Sequence, residues 1–142
     1  MRISSMLVGL AAAAMLVAGC GGDSNAPDNS HVGRYALVSV DGESVPITID
    51  DDPDFVVTLL SGDLTLNANN TFVQSVTIAF TIFGASEPPE TISCGGRYQR
   101  RGTALTLTST ANENCEAATL NATLNGNQVT ISDQGSEVVF RR

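Results

Sequence analysis

The chain has 142 residues, with 15 acidic and 7 basic side chains, a formal charge of −8, no tryptophan and a single histidine. That length holds one domain and hardly two. The negative balance argues against nucleic acid or anionic lipid head groups as partners, since both present negative charge themselves.

The first twenty residues have the order of an export signal. Met1-Arg2 is weakly positive, Met6 to Val17 is an unbroken run of apolar residues and glycine, and Val17-Ala18-Gly19-Cys20 closes it. A membrane-spanning helix needs roughly 20 apolar residues, and this run is shorter. Small residues directly before a cysteine resemble a bacterial lipobox. The resemblance implies diacylglycerol on the Cys20 thiol, cleavage in front of it, and loss of residues 1–19. Two or more acyl chains anchor stably where one does not. The expected location is therefore the bacterial cell envelope, with the protein held to a membrane through lipid on Cys20. Gly21-Gly22 stands where an aspartate resembles an inner-membrane retention signal, which favours the outer membrane, facing the periplasm, in a cell with two membranes. Arg2 leaves with the signal, so the mature chain carries six arginines and no lysine.

Residues 20–32 are polar and aperiodic from Gly21 onward and read as a flexible tether that includes His31. From Gly33 to Arg142 the apolar period is two. Phe72, Gln74, Val76, Ile78, Phe80 and Ile82 make one face of a long strand, and Thr71, Ser75, Thr77 and Thr81 lie on the other. Leu64 and Leu66 alternate with polar residues, and so do Leu105 and Leu107. Three further sets follow: Ala118 to Leu124, Val129 with Ile131, and Val138 with Phe140. The runs are separated by turn signals at Asp41-Gly42, Asn67 to Asn70, Arg101-Gly102, Asn125-Gly126 and Asp133 to Gly135. About eight strands fit. The reading is an all-β, antiparallel up-and-down meander closing into a small barrel over residues 33–142, with a sandwich as the other closure. Asn112 to Leu124 also admits a short helix, but Asn125-Gly126 calls for a strand on each side.

Several segments carry a family resemblance. Gly33-Arg34-Tyr35-Ala36-Leu37, Asp41-Gly42, Gly62-Asp63-Leu64-Thr65-Leu66, Asn70-Thr71-Phe72, Gly96-Arg97-Tyr98 and the terminal Phe140-Arg141-Arg142 resemble small bacterial lipocalin-like lipoproteins. Lipocalins place Gly-x-Trp on the first strand and pack an arginine over the tryptophan. Here Tyr35 takes that position, and Arg141 or Arg142 would supply the cation.

Cys94 and Cys115 remain as an even pair in an oxidising compartment, so a disulfide is expected. Asp50-Asp51-Asp52-Pro53-Asp54 has the carboxylates of a calcium loop but fails the EF-hand positions, with Phe55 sixth and Ser61 twelfth; a solvated connection is expected. Arg97, Arg100 and Arg101 form a basic cluster. Ile92, Cys94, Gly96, Tyr98 and Arg100 share one strand face, so an inward orientation would set Tyr98 and Arg100 at a barrel mouth, suited to a carboxylate ligand. No catalytic motif, metal site or cofactor-binding motif appears: the domain lacks a histidine base and a nucleophile elbow. Two functions follow. One is a barrel that binds a small apolar or amphipathic ligand, with Gly96, Ala118 and Ala122 leaving room inside. The other is an envelope interaction or structural module, an inhibitor among the options, with a filled core.

Overall fold

The computed structural model describes residues 28–142; Cys20 and the signal lie outside the described residues. Eleven strands follow in chain order: β1 (Gly33–Val40), β2 (Glu43–Ser44), β3 (Ile47–Asp52), β4 (Phe55–Leu66), β5 (Thr71–Ile82), β6 (Ala85–Ser86), β7 (Glu90–Arg101), β8 (Ala104–Ser109), β9 (Thr119–Asn125), β10 (Gln128–Asp133) and β11 (Ser136–Arg141). Every pairing is antiparallel. Eight strands close a ring in the order β1-β11-β10-β9-β8-β7-β5-β4, and β4 returns to β1. Leu37 faces Phe140 across one seam, and Tyr35 faces Leu64 across the other. The ring, its core and its disulfide are complete within residues 28–142.

Alternation decides what fills the ring. In β4 the buried positions are Val57 and Leu59, then, past a register shift between Leu59 and Ser61, Gly62, Leu64 and Leu66, and the partners of the last two on β5 are Gln74 and Phe72. Tyr35, Tyr98, Phe140, Leu64, Leu66, Leu105, Leu107 and Val129 are fully buried. An eight-stranded ring is just wide enough for side chains to fill it. These eight lie towards the end where β1 starts and β11 stops, which is thereby solid. The turns expected from sequence are all at strand junctions. At Asp41-Gly42 both residues have positive φ, 51° and 84°, as a tight hairpin of right-handed twist requires. Residues 110–118 form an irregular loop containing one Asn112–Cys115 bridge, and the strand begins at Thr119.

Strand lengths are unequal. β4, β5 and β7 have 12 residues each, while β8, β10 and β11 have 6. At ~3.3 Å per residue the long strands reach about 40 Å and the short ones about 20 Å. The excess stands at the end opposite the solid one. There Ile47 to Asp52 of β3 pair with Phe55 to Leu59 of β4, and Ile82 of β5 pairs with Ala85 of β6. The barrel thus has a wall on one side of its second mouth. On the wall's inner face Val57 and Leu59 are buried, and Phe55 stacks on Phe80 at 5.8 Å between ring centroids.

Cys94 and Cys115 are joined, with Cα atoms 5.8 Å apart, tying β7 to the loop after β8. Gly96 does not leave room in the interior. A Cβ built there would lie 2.0 Å from the Thr108 carbonyl oxygen, so the glycine permits close approach of the β7 and β8 backbones. Ala118 is exposed and precedes its strand, whereas Ala122 is buried.

Candidate functional site

The solid end is sealed by the chain's own N-terminal segment. Residues 28–32, expected to be part of the tether, lie across it as a strap, and His31 is only 7% exposed. Its ring is held on both nitrogens: Nε2 lies 2.9 Å from the Tyr98 hydroxyl and Nδ1 lies 3.0 Å from Arg100 Nη1. A guanidinium can only donate, so Nδ1 accepts and Nε2 carries the proton. Nε2–H then donates to the Tyr98 oxygen, and the Tyr98 hydroxyl donates to the Asn67 carbonyl at 2.7 Å. The Tyr35 hydroxyl donates to the His31 carbonyl at 2.7 Å. Arg142 donates to the carbonyls of Val32 and Ser30 and sits over the Tyr35 ring. Of the two arginines the sequence left open, Arg142 supplies the cation; Arg141 points outward to Gln128.

Tyr98 and Arg100 do lie on the inner face, as Tyr98 opposite the buried Leu107 shows. Their polar atoms are already engaged. Arg100 donates to Asp28 Oδ2 at 3.0 Å, to the Gly102 carbonyl at 2.9 Å and to His31. The place expected for a ligand carboxylate is filled by Asp28. Hydrogen bonds from Ser30, then from Arg100, hold the Asp28 carboxyl at about 2. Burial, helped by the Arg100 charge, pushes His31 below its ordinary 6.5. Burial raises both Tyr35 and Tyr98. His31 and Asp28 were invisible to strand periodicity because both precede the first strand. Outside the strap an open polar groove of about 650 Å³ runs past Asn70, Gln99 and Arg101.

The second mouth differs. A cavity of about 390 Å³ lies there, lined by Leu120, Ile131 and Val138 from the ring, by Gln74, and by Asp133, Gln134 and Ser136 at the β10–β11 turn. Val40, Val76 and Ile78 are partly buried against the core at the same end. The wall continues this apolar surface outward to Phe55, Ile82 and Phe83, which are 38%, 37% and 79% exposed.

Strand direction sorts the charges along the barrel. Arg34 opens β1, Arg97, Arg100 and Arg101 close β7, and Arg141 and Arg142 end the chain, so all six arginines of residues 28–142 belong to the strapped end. Two carboxylates accompany them. Asp28 pairs with Arg100, and Asp63 takes a two-pronged bond from Arg34 at 2.7 and 2.6 Å. Every other described carboxylate belongs to the open end. Asp41 and Glu43 flank the first turn, and Asp133 and Glu137 the last. Glu113 and Glu116 lie in the β8–β9 loop, Glu87 and Glu90 lie before or at the start of β7, and the Asp50 to Asp54 run caps the wall. Among the described residues none of these carboxylates is in an ion pair, and none belongs to a group of three or more that could hold a metal.

No protein-family model and no curated protein matches the chain.

Proposed function

We propose that the chain is a lipid-anchored envelope protein whose barrel receives a small apolar or amphipathic ligand at its open mouth. The observation that carries this reading is the 390 Å³ cavity with an apolar floor of Leu120, Ile131 and Val138. Its size falls within the roughly 300–1,000 Å³ of small-molecule sites. The apolar wall beyond it lengthens the surface that a ligand could cover, at about 0.8 kcal/mol per buried CH₂. Because Arg100 serves the strap at the other end, it is not a ligand group in this reading. The anchor rests on Val17-Ala18-Gly19-Cys20, which precedes the strap in sequence, and the strap meets the barrel at the end away from the open mouth.

Two experiments test the two halves. Cys20→Ser should leave the precursor uncleaved and without lipid; processing at that site with membrane partition would sink the anchor. Titration of residues 20–142 with the neutral fluorophore N-phenyl-1-naphthylamine should saturate at micromolar concentration, and Leu120→Trp, which fills the cavity, should abolish the signal. No saturable signal from the parent protein would leave the interaction module as the better reading. That alternative has its own support in the exposed Phe83 at the tip of the wall and the exposed Ile49 within β3.

A further inference from the structure

The charge pattern narrows the ligand. We propose that the open mouth selects a cationic amphiphile, an apolar body carrying an ammonium or guanidinium head; this rests on the ligand reading above and deepens it. The apolar cavity has one charged group in its lining, Asp133. At the same end Asp41 and Glu43 flank the first turn, Glu113 and Glu116 lie in the β8–β9 loop and Glu137 follows the last turn, while no arginine of the described residues lies there and the chain contains no lysine. A cleft of low-dielectric walls under charges of one sign focuses their field and concentrates counter-ions of the other sign. The charges are not spread by chance over the surface. The antiparallel ladder places residues at opposite strand ends at opposite ends of the barrel, and the two signs follow those ends.

The same field rejects the alternatives. An anionic head at the mouth would meet Asp133 and, beyond it, the rim, with no cation within the site to offset them. A neutral head gains nothing from the rim. A second copy packed mouth to mouth would bring the same carboxylates against this face. Concentrating like charge at one end destabilises the compact state by self-repulsion. A bound cation removes part of that repulsion, so the protein and the ligand head are complementary in both directions.

The test compares dodecyltrimethylammonium, dodecanol and laurate, each below its micelle concentration, as competitors for N-phenyl-1-naphthylamine on residues 20–142. At low salt the ammonium should compete about tenfold or more better than the alcohol, and laurate should be the weakest. Raising ionic strength to about 0.5 M should shrink that spread, because rim charges lie within reach of screening. Asp133→Asn should narrow the advantage of the ammonium over dodecanol measured on the same variant. Equal competition by ammonium and alcohol, or a preference for laurate, would overturn the cation selectivity while the ligand reading stands. Failure of all three, with no fluorophore binding, would remove the ligand reading itself. Ammonium binding that survives Leu120→Trp would place it on the rim alone and overturn the site.

Discussion

Arg142 lies over the ring of Tyr35, its guanidinium carbon 5.2 Å from the ring centroid. The last residue of the chain thereby covers the first strand of the barrel, and two of its N–H groups reach back to the strap at Val32 and Ser30. One side chain closes the seam between β1 and β11 and holds the segment that leads towards Cys20. Arg142→Ala should cost about 1–2 kcal/mol, combining a cation–π contact with lost charge-assisted hydrogen bonds. Arg141→Ala, which loses only a contact to Gln128, should cost less. Urea denaturation of the two variants side by side checks the order.

The strap should loosen in mild acid. His31 is neutral in the fold, and protonation would place a proton on Nδ1 against the Arg100 donor, with Arg142 also near. Its folded pKa lies below the ordinary 6.5, so the unfolded or released strap binds more protons in that window. Stability contributed by the strap is present above about 6.5 and falls as pH drops towards the folded pKa. Asp28 acts lower down: its contribution, present above about 3.8, declines as pH falls towards about 2. The range from 6.5 to 5 therefore isolates His31. Hydrogen exchange of the Val32 amide, which donates to the Asn29 carbonyl, should accelerate over that range, and His31→Gln should flatten the response. An exchange rate as pH-dependent in the variant as in the parent, after correction for intrinsic exchange, would contradict the role of His31.

Gly96 should tolerate no side chain. With a Cβ placed 2.0 Å from the Thr108 carbonyl, Gly96→Ala must push β7 from β8 and should destabilise by about 1–3 kcal/mol. Gly95→Ala provides the comparison, since its nearest contact would be 3.3 Å, at the Phe72 carbonyl. Thermal unfolding of both variants should show the larger loss at Gly96.

Removing the Cys94–Cys115 bridge should cost about 2–5 kcal/mol, with loop closure accounting for about 3. The sequence separation is 21, and the bridge restrains a loop that has little regular structure of its own. A double Cys94→Ala, Cys115→Ala variant measured by denaturation is the check. Two free thiols in the oxidised, denatured parent would contradict the bridge outright.

What could be read from the sequence was whatever repeats locally. The inner face of β5 follows from Phe72 to Ile82 because side chains alternate with period two. The hairpins follow from Asp41-Gly42 and Asn125-Gly126, and the cysteine pair from parity. Tyr35 was placed by resemblance, and the structure chose Arg142 over Arg141 because Phe140 points inward and Arg141 therefore outward. The burial of His31 had no local signal: its side-chain partners are 67 and 69 residues away. For the same reason Arg100 looked available when Asp28 already held it. The separation of charge was hidden too, since net charge averages over both ends and the sorting appears only once strand directions are known. Gly96 looked like interior space, and its true neighbour is backbone on another strand.

In the proposed function a ligand enters the mouth away from the strap. Methyl NMR of residues 20–142 during titration with a neutral apolar probe reports this position directly. Shifts should concentrate at Leu120, Ile131 and Val138, with the fully buried Leu105 and Leu107 nearly silent. Shifts centred on the strapped end, or none at a saturating probe concentration, would contradict it.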